Sequence, residues 1–242
     1  IVVGTDSLLD PIYILSFQVL GALTTTEHTD PGEASRPLDE KADGFVMSEA
    51  STAFVMARRS FAERIGARIL GTLSGFGCSS DAFHDTAPDP SASGVIQSMS
   101  QALEMSGKII IKEDNFEVSP EKFKDLVIST HTTSTGDADA IEVDGIKRVL
   151  GEVTPSTPIV GLKDRLGHGL GASGSVEIAA CLLMMQQNCI PGMPNLKNPR
   201  RLLSDFDFVT SSRKGVKVDS ILKNSVAFGG GCYSVCIEKE KE

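Results

Sequence analysis

Basic clusters are scarce in this 242-residue sequence: 23 Lys and Arg stand against 32 Asp and Glu, for a formal charge of -9. A nucleic acid partner needs a stripe of cations to offset its phosphates, so the balance excludes that class. Long apolar runs are also lacking, and the longest stop short of the roughly 20 residues that cross a bilayer. The first residues, IVVGTD, carry neither a basic stretch nor a small-residue cleavage site. A cytoplasmic protein with no nucleic acid partner and no membrane span is expected. The five cysteines form no C-x-x-C pair, which excludes a disulfide framework and a cysteine metal cluster. Cys181, in the helical run from Val176 to Met185, and Cys232 and Cys236, on one face of an alternating strand, are expected to be packing residues. What remains, 40% hydrophobic and 23% charged residues, is enough to bury a core and reads as α/β.

Ile1 to Thr5 reads as a buried strand and Pro11 to Leu23 as an apolar helix begun by Asp10-Pro11. A long polar loop follows from Glu27 to Asp43, unusual enough in a compact domain to suggest a functional or interface role. Strands are expected over Phe45 to Met56 and Arg68 to Gly77, with a helix from Arg58 to Gly66 between them. The Ser/Asp/Pro-rich stretch after Cys78 marks a boundary, dividing the chain into 1–78, a connection 79–94, and 95–242. The last part alternates: helix Val95 to Met105, an element begun by Val118 to Phe123, strand Leu126 to Thr130, helix Ala140 to Leu150, strand Pro158 to Leu162, helix Gly174 to Gln187, and a hairpin of Leu222 to Ala227 with Tyr233 to Ile237. That order predicts a mixed sheet covered by helices, without a sequence repeat.

Two histidine motifs stand out, HTTSTGDAD from His131 to Asp139 and KDRLGHGLGASGSVE from Lys163 to Glu177. Each histidine lies where an extended apolar run gives way to a turn and then a helix, the place where α/β folds present reacting side chains. Two such histidines point to one active site.

Together with SRPLDEKADGFVMSEA (Ser35 to Ala50), SDAFHDTAP (Ser80 to Pro88) and NSVAFGG (Asn224 to Gly230), these motifs occur in the order that resembles a β-ketoacyl-acyl-carrier-protein synthase, the condensing enzyme of fatty acid and polyketide synthesis. The resemblance spans nearly the whole chain but only the latter part of a typical family member. It implies the thiolase fold, an α-β-α-β-α layered sandwich of two similar halves, with this chain supplying the end of the first half and the complete second half. It also implies an acyltransferase acting with acyl carrier protein, whose phosphopantetheine carries the substrate, with no covalently bound cofactor and no metal. A homodimer is expected, together with a missing N-terminal half bearing the nucleophilic cysteine. Cys78, in GCSSD, only superficially resembles that nucleophile turn.

By the same resemblance His131 and His168 match the histidines that stabilise the enolate formed when malonyl thioester loses CO2, and Lys163 matches the lysine behind them. Asp139, Glu142 and Glu177 are expected to compensate that lysine's charge. Thr133 and Thr135, two apart on an extended turn, match threonines that bind the phosphopantetheine arm, with ordinary turn chemistry the alternative. Phe228, Gly229 and Gly230 match the glycine-rich turn, where a backbone N–H serves the oxyanion hole and the phenyl ring gates the acyl pocket. Thr132, Ser48-Glu49-Ala50, Val226 and Gly231-Cys232 depart from the family pattern and bear on substrate choice and activity. Two other readings stay open. One is a non-catalytic ketosynthase-like subunit that shapes chain length or an interface. The other is a hydrolase with His131, Asp137 and Asp139 around a metal, whose spacing matches no strong ligand template.

Overall fold

The run LVIST, Leu126–Thr130, is apolar enough to be covered on both faces, and every one of its residues is buried at the centre of a six-stranded sheet. The computed structural model describes residues 1–113, 115–200 and 205–240. Its strands are β1 (Val2–Asp6), β2 (Ala50–Phe54), β3 (Thr72–Ser80), β4 (Ile109–Lys112), β5 (Asn115–Val118), β6 (Leu126–Thr130), β7 (Pro158–Gly161), β8 (Cys189–Ile190), β9 (Asp207–Phe208), β10 (Arg213–Lys214), β11 (Ser220–Val226) and β12 (Gly231–Glu238). The α-helices are α1 (Pro11–Val19), α2 (Arg59–Arg64), α3 (Ser93–Met105), α4 (Asp137–Leu150), α5 (Lys163–Leu166) and α6 (Ser173–Gln187).

The main sheet runs β3-β12-β11-β6-β7-β9, antiparallel through the β11–β12 hairpin and parallel from β11 to β9. Strand alternation sends Ile128 and Leu222 to one face, against Met99 and Leu103 of α3 and Ile146 and Leu150 of α4. Val127 and Ile221 go to the other face, against Cys181 and Met185 of α6. The expected mixed sheet covered by helices is therefore present.

β1 and β2 form an antiparallel ribbon lying on the far side of α6, where Ser175 Oγ donates to the Gly4 carbonyl at 3.3 Å. Glycine is required at that approach, since a Cβ there would come 2.2 Å from Ser175 Oγ. The order is thus α3/α4, sheet, α6, ribbon, an α-β-α-β succession of layers. The expected burial of Ile1 to Thr5 is not found: β1 is capped by α6 on one face only, and Val2 and Val3 are exposed. Helix α1 is shorter than expected and has no buried residue.

Two other elements shift. Strand β3 continues through Cys78, so GCSSD is extended chain rather than a turn, and its pairing with β12 places residues 72–80 in the same sheet as the later strands. The segment Phe45 to Glu49 is irregular, held by isolated bridges Leu23–Phe45 and Met47–His168, and only Ala50–Phe54 is a strand.

Candidate active site

Strands β6 and β7 are parallel neighbours, so the segments leaving their C-terminal ends meet at one crevice, the usual ligand site of such sheets. One segment begins with His131 and the other carries Lys163 to His168. The two imidazole rings face each other at 5.4 Å between centroids and 81° between planes. Lys163 Nζ lies 3.4 Å from His131 Nδ1. His168 Nδ1 is 2.8 Å from the Ser173 hydroxyl at the start of α6, and the backbone N–H of His168 donates to the Val46 carbonyl at 2.7 Å.

A lysine ammonium can only donate, so His131 Nδ1 accepts and its proton sits on Nε2, whereas the Ser173 hydroxyl can pair with either tautomer of His168. Burial, followed by the charge of Lys163, holds His131 well below the ordinary histidine value and brings His168 down to about 3. Both rings are neutral near pH 7. They line a cavity of about 610 Å³ whose wall also includes Phe45, Thr133, Thr135, Ser225 and Phe228.

Behind the histidines, Lys163 is ion-paired to Glu177 Oε1, with both side chains 1% exposed. Burial would raise Glu177, but Lys163 and Lys223 outweigh it and hold the carboxyl below its usual range. Glu142 also attracts the Lys163 charge, and both Asp139 and Glu142 have a further task beside the charge compensation expected of them. Both project from the first turns of α4, three residues apart on one face. Glu142 accepts the N–H groups of His131 (2.8 Å) and Thr132 (2.9 Å) and the Asn224 amide (3.2 Å). Asp139 accepts the N–H groups of Thr133 (2.7 Å), Ser134 (3.1 Å) and Leu38 (2.9 Å). The two carboxylates thus bind the backbone of the His131–Ser134 turn, because that turn's N–H groups have left the sheet and must be satisfied. Ser134 takes a left-handed φ of 71° inside this clamp.

The Thr133 and Thr135 hydroxyls are 2.8 Å apart on the cavity wall. Phe17 lies 6.4 Å from Phe228 and 5.6 Å from Phe45, whose ring is 4.9 Å from that of His168, so an aromatic row runs from the half-exposed Phe228 to the histidine. Gly230 also borders the cavity, where a Cβ would strike the Asp81 carboxylate at 2.2 Å. Gly229 is turned elsewhere: its N–H donates to the Asp85 carbonyl at 2.7 Å and it is not on the cavity wall. His131, Asp137 and Asp139 do not converge, since the exposed Asp137 faces Arg200 while Asp139 holds backbone.

The polar loop meets the site from outside: Ser35 Oγ donates to the Lys163 carbonyl at 2.7 Å, and the Arg36 N–H donates to Ser134 Oγ at 3.1 Å. Sequence reasoning missed Ser173, Phe45 and Lys223. Ser173 carried a signal, five residues after His168, whereas a lysine in a strand ordinarily reads as exposed.

Comparison with known proteins gives the family to which this fold belongs. The family model for the β-ketoacyl synthase C-terminal domain matches residues 70–197, more than half of the chain, and that for the β-ketoacyl synthase N-terminal domain matches residues 1–62. A 3-oxoacyl-[acyl-carrier-protein] synthase 2 from Coxiella burnetii is 34% identical over 94% of this chain and 51% of its own length. The tetracenomycin polyketide synthase ketoacyl synthase alpha subunit of Streptomyces glaucescens is 32% identical over 99% of this chain and 53% of its own. The chain spans about half the length of these curated relatives. Among solved structures, a β-ketoacyl synthase from Burkholderia phymatum superposes with a TM-score of 0.83 at 28% identity, over 99% of this chain and 54% of its own. A type II PKS ketosynthase in complex with its acyl-carrier protein gives 0.88 at 26% identity, over 98% and 55%. With this fold, these motifs and these matches, the chain belongs to the β-ketoacyl synthase family.

Proposed function

We propose that this chain carries the decarboxylation machinery of an acyltransferase that condenses malonyl-acyl-carrier-protein with an acyl-enzyme thioester, in fatty acid or polyketide synthesis. One observation carries the reading: two neutral imidazoles, each with a polar partner at Nδ1, face each other on the wall of a single cavity, and we assign their protons to Nε2, where both rings can donate. When the malonyl C–CO2 bond breaks, its electron pair moves toward the thioester oxygen and CO2 leaves. Two N–H donors in a water-poor site stabilise that enolate oxygen without changing their own protonation. The carbanion then attacks the acyl-enzyme carbonyl, the new C–C bond forms, and the cysteine thiolate departs.

Thr133 and Thr135 are assigned to the phosphopantetheine arm, and Phe228 to the mouth of the acyl pocket. With the Gly229 N–H engaged by Asp85, the oxyanion donor from this turn is assigned instead to Phe228 or Gly230.

The thiolate is assigned to a segment outside these residues. None of the five cysteines borders the cavity, and burial pushes the thiols of Cys181 and Cys232 up to about 12. A complementary N-terminal half and a second copy are the proposed covers for the exposed apolar residues of β1 and α1, which include Val3, Ile12, Leu15 and Val19. Acyl carrier protein is the proposed substrate-bearing partner, in the cytoplasm; among the described residues no helix is long and apolar enough to cross a membrane.

CO2 release from malonyl-acyl-carrier-protein tests this, measured on the natural polypeptide or on this chain complemented by a cysteine-bearing N-terminal half. Release that depends on the enzyme is expected. A folded preparation that releases none would favour the non-catalytic, chain-length or interface subunit.

A further inference from the structure

Lys223 is a buried charge that the proposed mechanism does not use. It sits on β11, between β12 and β6, on the sheet face that looks at α6, and its side chain is 1% exposed. An ammonium there is strongly disfavoured unless paired. Its Nζ lies 2.8 Å from Glu177 Oε2, as an ion pair, donates to the Asn224 carbonyl, and comes 3.4 Å from Ser225 Oγ. Glu177 therefore holds two lysines, Lys163 on Oε1 and Lys223 on Oε2. The charged and titratable groups around the pair come from every side: Glu177 and Cys181 from α6, Glu142 from α4, His131 from the end of β6, and His168 after α5.

Resting on the condensing-enzyme reading, we propose that Lys223 is a positioning residue: by occupying Glu177 Oε2 it confines Lys163 to Oε1, within reach of His131 Nδ1, and ties α6 to the strand that enters the cavity as Ser225–Phe228. Without it, both carboxylate oxygens would be open to Lys163, whose ammonium could then be drawn off the histidine. The arrangement also sets a sign for pH. Lys223 repels the Lys163 ammonium and so, after burial itself, helps to lower the pKa of Lys163. Removing the Lys223 charge raises that pKa and moves any activity loss due to Lys163 deprotonation to higher pH.

Malonyl decarboxylation by the complete natural polypeptide tests the role, with pH–rate profiles for wild type, Lys223→Met, Lys223→Arg and a His131→Ala control. Met keeps the length without the charge, so a purely packing role would leave it unaltered. The expected result is a kcat at least tenfold lower in Lys223→Met with KM within about threefold, a basic limb moved upward by half a pH unit or more, and substantial rescue of kcat by Lys223→Arg. Should the Met variant fail to fold, Lys223→Gln supplies the neutral side chain. A folded neutral variant with unchanged kcat and an unmoved basic limb overturns the inference while His131→Ala still abolishes release. If His131→Ala is as active as wild type, the functional reading itself has failed, and the inference falls with it.

Discussion

Gly161, at the end of β7, faces Thr132, the residue that stands beside His131 where the family usually has a smaller one. A Cβ on Gly161 would lie 2.6 Å from Thr132 Oγ1 and 3.3 Å from Thr130 Oγ1. Those two hydroxyls are hydrogen-bonded at 2.7 Å in a buried pocket, and Thr130 Oγ1 also lies 3.3 Å from the Val160 carbonyl. In Gly161→Ala the threonine must move, adding an overpacking cost of about 1–3 kcal/mol to a disturbed hydrogen bond worth about 0.5–1.5 kcal/mol. A loss of about 2–4 kcal/mol is expected. Thr132→Ala removes the obstructing atoms, so the double variant should be about 1–2 kcal/mol more stable than the sum of the single changes. Urea denaturation of the natural polypeptide and its three variants, at matched m-values, measures the cycle. Additivity within about 0.5 kcal/mol would refute the claim that Thr132 is accommodated by the missing Cβ of Gly161.

Glu177→Gln should leave two buried ammonium groups facing an amide, destabilising the protein by about 3–5 kcal/mol in the same denaturation assay; a loss below about 1 kcal/mol would mean that the ion pairs are solvated. Asp164, beside Lys163, is pushed up to about 6 by burial, only partly offset by Arg165 and the Asn195 N–H. Because its folded value exceeds the unfolded one, its contribution to stability is full below about 3.8 and is lost as pH rises through 6. Asp164→Asn is therefore expected to melt higher than wild type at pH 7.5 and to lose that advantage by pH 4; a constant difference in melting temperature would contradict the assignment. Expressed by itself, the chain should self-associate through the exposed apolar residues of β1 and α1, and light scattering from a monodisperse monomer would argue against that.

The parts of the sheet that could be read from sequence are those where burial on two faces leaves no polar alternation. LVIST is such a segment and both histidine motifs follow strands of that kind, while the last strand of the hairpin was legible instead from its alternation, which buries Cys232, Ser234 and Cys236 and leaves Tyr233 exposed. Burial of β1 could not be read correctly, because its apolar residues require cover without saying that α6 supplies it on one face only. The backbone-binding roles of Asp139 and Glu142 were also hidden. A carboxylate near a lysine in sequence reads as its counterion, and three-dimensional packing additionally aims both at the N–H groups of a turn. Lys223 was invisible for a related reason: strand pattern assigns a lysine to solvent, and only the position of β11 between two other strands, with Glu177 across from it, makes burial tolerable.

The central claim is that His131 and His168 act when enolate charge appears and not before. Measuring acyl-enzyme formation and CO2 release separately in His131→Ala and His168→Ala of the natural polypeptide tests it most directly. CO2 release should fall by about 100-fold or more, the range for removing one oxyanion donor, with self-acylation within a few fold of wild type. Equal losses in both steps, or release that survives both substitutions, would contradict it.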